Sequence, residues 1–301
     1  MRVWFERAAV LIVASGIVAA APAALAAAPP GVRTVPSGEI RIAYRATGSG
    51  RPLLLINGSG STLDTWDPAL LDALRSGHRI IVFDPRGLGA STDVADNRLT
   101  VEQMADDAAG LLGALHIRRA DVLGWSLGGF VAQEVAIRHG ELVRRLVLAS
   151  SSAGGRHAAK ATPEVTAVDE RTTIGLAAPD EFLPILFPPA AQDAGGAWIG
   201  RLLAQPGGCC EPYTQASGRR QVAATRRWYA AAGGDEQRLG RIGVPTLIGA
   251  GELDEDVPVA NARLLHRRVK GSQIKLYADA GHAFLIQHPN EFGAAVQRFL
   301  R

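Results

Sequence analysis

The chain is poor in cysteine, in clustered charge and in long apolar runs, and each shortage excludes something. It has two cysteines in 301 residues, adjacent at Cys209 and Cys210, so a disulfide framework is ruled out. A bridge between the two neighbours is disfavoured as well. A trans peptide holds their Cα atoms about 3.8 Å apart, while disulfides usually want about 4.4 Å or more. Two buried thiols and a link between chains remain the open readings of this pair. No block of five or more Lys or Arg occurs, and the formal net charge is only +3, so a nucleic-acid partner is not expected. The 34 glycines follow no collagen period, and no segment repeats itself at a solenoid spacing. There is no His-Glu-x-x-His, no close Cys/His cluster and no phosphate-cradling glycine loop. Neither a metal nor a nucleotide cofactor is expected.

What is present describes a globular protein with room for a full core, since 47% of residues are apolar and 20% charged. Residues 1–28 read as an export signal: Arg2 and Arg7 precede the uncharged run Ala8 to Ala20, and Ala24-Leu25-Ala26 and Ala26-Ala27-Ala28 are candidate cleavage sites. The run is short for a span of about 20 residues. The expectation is therefore a secreted or periplasmic protein with no stable membrane insertion once the signal is removed.

From Val32 onward the pattern is strand-rich. Ile40, Ile42 and Tyr44 alternate with polar residues, as in a half-exposed antiparallel strand. Leu53 to Ile56, Ile80 to Phe83, Val122 to Leu123 and Leu146 to Ala149 are continuous apolar runs, which suit strands buried on both faces of a parallel sheet. Helical spacing lies between them, in Val101 to Leu115 and after Ser126. Strand runs resume at Thr246 to Ile248 and Ile274 to Tyr277, and a last amphipathic helix is predicted over Pro289 to Leu300. This is an α/β fold with a mostly parallel central sheet flanked by helices. Residues 29–150 and 241–301 form its core, and residues 151–240 are expected to be a helical cap inserted into it.

The chemistry is clearest at Gly124-Trp125-Ser126-Leu127-Gly128-Gly129, directly after an apolar strand and before a helix. A serine in such a tight turn is pushed outward, and the flanking glycines permit close backbone approach. A serine hydroxyl needs a base to take its proton and a carboxylate to orient that base. Two segments at C-terminal strand edges supply them: Gly251-Glu252-Leu253-Asp254 and Asp279-Ala280-Gly281-His282. His282 is the candidate base by position. Asp254 is favoured as the acid over its neighbours Glu252, Glu255 and Asp256.

Together with Leu54-Leu55-Ile56-Asn57-Gly58-Ser59-Gly60 and Phe83-Asp84-Pro85-Arg86-Gly87-Leu88-Gly89-Ala90-Ser91, these segments resemble the α/β-hydrolase superfamily, in its branch of small capped esterases and lactonases. The order Ser, Asp, His is that family's order. The resemblance implies Ser126 as nucleophile, His282 as general base and later acid, and Asp254 as the group that fixes the imidazole. It also implies an oxyanion hole from the backbone N–H groups of Leu127 and Ser59. The loop departs from the usual pattern, since Asn57-Gly58 stands where His-Gly is common; Arg86 is expected to brace the neighbouring loop. A hydroxyl at position 126 sets aside the carboxylate-nucleophile branches, haloalkane dehalogenases and epoxide hydrolases.

The implied activity is cofactor-independent hydrolysis of a small carboxylic ester or lactone through an acyl-enzyme. Alternatives on the same residues are a carbon–carbon bond hydrolase, a perhydrolase and an acyltransferase. A slow-turnover ligand-binding protein is the alternative outside catalysis, because fold alone does not fix function.

Overall fold

The computed structural model describes residues 31–94, 98–206, 209, 214–230 and 236–301. The proposed export signal and Cys210 lie outside the described residues. Eight strands form one sheet: β1 (Arg33–Ser37), β2 (Ile40–Gly48), β3 (Arg51–Ile56), β4 (His78–Phe83), β5 (Ala120–Trp125), β6 (Val143–Ala149), β7 (Thr246–Gly251) and β8 (Gln273–Tyr277). Their order is β1-β2-β4-β3-β5-β6-β7-β8. The pairs β1–β2 and β2–β4 are antiparallel and all others parallel.

The helices are α1 (Pro68–Leu74), α2 (Val101–Ala114), α3 (Leu127–Arg138), α4 (Pro163–Thr173), α5 (Pro179–Leu186), α6 (Gln192–Leu203), α7 (Gln215–Tyr229), α8 (Ala260–Arg268), α9 (Phe284–Gln287) and α10 (Pro289–Leu300). None of the described helices is long and apolar enough to cross a membrane.

Side chains alternate across the sheet, so each apolar strand feeds two cores. Leu54 and Ile56 join the layer with α2 and α3, whereas Leu53 and Leu55 join the layer with α1 and α10. That double burial is why the central strands lack the polar alternation seen in β2. The helices α4 to α7 all fall between β6 and β7. They pack on the sheet through a few large anchors: Phe187, Trp198 and Leu202 join the core around Trp66 and Phe284, and Trp228 stacks on Phe130 at 5.4 Å. A bidentate ion pair, Arg201 Nε and Nη2 to Asp67 at 2.7 and 2.8 Å, ties α6 to the residue that caps α1.

One sequence expectation needs correction. Cys209 is disulfide-bonded, although spacing disfavours a bridge by this cysteine pair. Preferred Cα spacing expresses strain, and strain raises the cost of a bridge without forbidding it.

Candidate active site

β5 ends at Trp125 and α3 begins at Leu127, which leaves Ser126 as the whole turn between them. Its φ of 55° and ψ of −123° lie in a region that costs a non-glycine residue about 1–3 kcal/mol. Neighbouring backbone holds it there: Ser126 N donates to Ala149 O at 3.0 Å, and Ser126 O accepts from Gly129 N at 2.8 Å. The flanking glycines do not take the unusual angle themselves. They allow close approach instead, since a Cβ on Gly124 would strike Gly128 O and one on Gly128 would strike Ile56 O.

The loop after β3 is shaped by Asn57. Its Oδ1 accepts from Gly58 N at 2.9 Å, while its Nδ2 donates to Thr62 O and Thr65 Oγ1. Gly60 N donates to Oε1 of Gln221, a buried residue of α7, at 2.7 Å. Side chains thus occupy the N–H groups on either side of Ser59. Ser59 and Leu127 line one cleft with Ser126, and Leu127, as the first residue of α3, has an N–H without an intrahelical partner. The neighbouring loop is braced by Arg86, which grips Asp107 with two hydrogen bonds of 2.8 and 2.6 Å.

Asp254 and His282 are brought together. His282 Nδ1 lies 2.9 Å from Asp254 Oδ2 and 3.2 Å from Oδ1, with both side chains buried. Asp254 Oδ1 also accepts from Asp256 N and Val257 N at 3.0 and 2.8 Å. His282 O accepts from Trp125 Nε1 at 3.2 Å and from Ser150 Oγ at 2.9 Å, so the residue before the serine helps hold the histidine. Glu252 and Glu255 are exposed.

The third contact is different. His282 Nε2 lies 3.4 Å from Asp256 Oδ2, and among the described residues Ser126 Oγ forms no hydrogen bond. Both imidazole nitrogens therefore face carboxylates. Burial works against a charged imidazole, but Asp254, Asp256 and Asp169 outweigh it and push His282 up to about 9. Burial raises Asp256, partly offset by His282, and it raises Asp169 further, with the Asp256 charge adding to the effect. The cleft is partly open, with a cavity volume of about 160 Å³. The sheet side supplies Ser59, Ser126 and Leu127, and the cap side supplies Asp169, Thr225 and Tyr229. Among the described residues no group of three or more His, Cys, Asp or Glu is placed to hold a metal ion.

The sequence profile described as the Alpha/beta hydrolase family matches residues 53–295. The chain belongs to the alpha/beta hydrolase family. This α/β-hydrolase is 27% identical to a 2-hydroxymuconate semialdehyde hydrolase of Pseudomonas sp., over 89% of this chain and 93% of that one. Among solved structures, it resembles an alpha/beta hydrolase fold protein from Chitinophaga pinensis, with a TM-score of 0.78, 27% identity, and coverage of 91% of this chain and 98% of the other. An esterase from Rhodococcus sp. aligns with a TM-score of 0.72 and 25% identity, over 90% and 98% of the two chains. A hydrolase of this family acts on a small molecule.

Several residues at the cleft were not legible as such in the sequence. Asp169 and Thr225 sit on cap helices with no motif around them, and Gln221 reaches the loop after β3 across 161 positions. Asp256 stood out only as a rival to Asp254. One signal was available: an acidic residue two positions after a candidate triad acid sits on the same strand-edge loop and need not point to solvent.

Proposed function

We propose that this α/β-hydrolase cleaves a carboxylic ester or lactone through an acyl-enzyme, with Ser126 as nucleophile, His282 as general base and Asp254 as its orienting acid. The observation that carries the reading is the strained turn at Ser126, which shares one cleft with the Leu127 and Ser59 backbone. Such strain persists only where surrounding structure enforces it, and it clusters at reacting groups.

In the reaction, Ser126 Oγ attacks the carbonyl carbon as its proton passes to neutral His282 Nε2. The oxyanion forms against the N–H groups of Leu127 and Ser59, where a single donor is worth about 3 kcal/mol. Collapse breaks the carbon–oxygen bond, and the leaving alkoxide takes the proton from Nε2. Water then attacks the acyl-enzyme, gives its proton to Nε2, and the proton returns to Ser126 Oγ as the acid departs. The two hydrogen bonds to His282 O hold its backbone while this occurs, and Asp254 orients the imidazole and stabilises the imidazolium formed in each half. Peroxide or an alcohol in place of that water would make the same residues a perhydrolase or an acyltransferase.

A second reading, carbon–carbon bond hydrolysis on the same residues, draws on the likeness to the 2-hydroxymuconate semialdehyde hydrolase. Muconate-type substrates carry carboxylates, however, and Asp169 and Asp256 in the cleft oppose one. We further propose that the protein is exported, on the strength of Arg2, Arg7 and the apolar run after them; fractionation of the expressing cell tests this. A fluorophosphonate probe tests the nucleophile. Labelling of the wild type that vanishes in Ser126→Ala is the expected result, and equal labelling of both would end the serine mechanism in favour of a binding protein.

A further inference from the structure

Asp256 faces Nε2 of His282, the nitrogen that the proposed mechanism uses as the base. Its Oδ2 is 3.4 Å from His282 Nε2, while Ser126 Oγ has no hydrogen-bond partner among the described residues. We propose that Asp256 is the resting partner of His282 and the residue that selects the substrate: it holds Nε2 until an ester bearing a protonated amine takes over its carboxylate. This rests on the serine-hydrolase reading and deepens it by naming the substrate class.

The groups facing His282 are Asp254 and Asp256, from the loop between β7 and α8, and Asp169 from α4. Those facing Asp256 are His282, Asp254, Asp169 and the partly buried Tyr229. Among the described residues, His282 is the one cation whose charge lowers Asp256 and Asp169. Lys160 is an exposed residue of the cleft lining, and Arg226 is held by Glu170 through two hydrogen bonds of 2.6 and 2.5 Å. Thr225 Oγ1, buried and without a partner among the described residues, adds an uncommitted hydroxyl to the same wall.

The physical consequence is a competition. While Asp256 faces Nε2, the imidazolium is favoured, and a protonated imidazole cannot accept the serine proton. A substrate ammonium paired with Asp256 removes that support, the imidazolium releases its proton to solvent, and the neutral Nε2 becomes free for Ser126. A carboxylate-bearing ester does the reverse: it adds a like charge beside Asp256 and favours the idle imidazolium.

The test uses three esters of one size and one alcohol, whose acyl groups end in a protonated amine, a methyl or a carboxylate. In the wild type near neutral pH, kcat/KM should favour the amine over the methyl by about tenfold or more, the worth of one charge-assisted hydrogen bond, and disfavour the carboxylate. Asp256→Asn should bring the three within about threefold of one another, losing that same bond. It should also move the acid limb of the methyl ester's kcat/KM profile to lower pH, which a purely structural role would not do. Asp169→Asn should lose a smaller part of the preference, and it decides the matter if Asp256→Asn does not fold. An unchanged charge order in these variants, or an unmoved limb in folded Asp256→Asn, overturns the proposal. If the wild type turns over no ester, the hydrolase reading fails separately. Binding of the same three esters to Ser126→Ala then decides: tightest binding of the amine upholds the charge selection, and equal binding overturns it.

Discussion

The sheet side and the cap side of the cleft are built differently. On the sheet side, Ser126, Asp254 and His282 sit at or just beyond strand ends and are nearly sealed from solvent: Ser126 is fixed by a backbone bond to the end of β6, Asp254 by N–H groups of its own loop, and His282 by side-chain donors from Trp125 and Ser150. On the cap side, α4 buries only Thr173 and α5 buries no residue, and the anchors lie at Phe187 just after α5, at Trp198 on α6 and at Trp228 on α7. Elements with few buried contacts open most readily. The difference teaches that the residues proposed to make and break bonds belong to the rigid half, while the cap contributes charge and shape that can change without dismantling the fold.

The largest effect should come from the rigid half. Ser126→Ala is expected to lower kcat on any accepted ester by about 10⁴-fold or more, while Thr225→Ala on the cap alters only the relative rates of different acyl groups. Comparable losses in the two variants would break the division of labour.

The next prediction concerns pH. The base works only when neutral and His282 is raised to about 9, so kcat/KM for an uncharged ester should climb with pH and level off near that value. Stability should move the other way. A histidine whose folded pKa lies above its unfolded value of 6.5 stabilises the fold fully below 6.5, and that contribution is lost as pH rises through about 9. Denaturant midpoints and rates measured on one pH series should therefore diverge; parallel curves would detach the histidine from both.

Smaller effects should mark the seam between the halves. Arg201→Ala leaves the fully buried Asp67 carboxylate with only its helix-capping bond, and should cost about 1–3 kcal/mol in chemical denaturation. Arg226→Ala, at an exposed ion pair with Glu170, should change stability by less than about 1 kcal/mol.

How much could be read beforehand follows the same boundary. The runs Leu53 to Ile56 and Val122 to Leu123 announced buried parallel strands because both faces are covered, and α10 falls where its amphipathic spacing placed it, at Pro289–Leu300. Ser126 was legible because a strand-to-helix turn with close packing demands glycine at 124 and 128. The edge strand β1 had no such signal, since it is short and half exposed. Asp169, Gln221 and Thr225 were invisible because cap helices carry no motif that records what lies opposite them.

By itself the sequence determined the strand rhythm, the turn that presents Ser126 and the family to which the chain belongs, because these depend on local periodicity and on glycine's lack of a Cβ. Only the tertiary structure decided that Asp254 holds one nitrogen of His282 while Asp256 faces the other. Two carboxylates two residues apart have the same chemistry in the chain; the direction of each side chain, and hence which part of the imidazole it meets, is set by the packing of the loop after β7 against β8 and the cap.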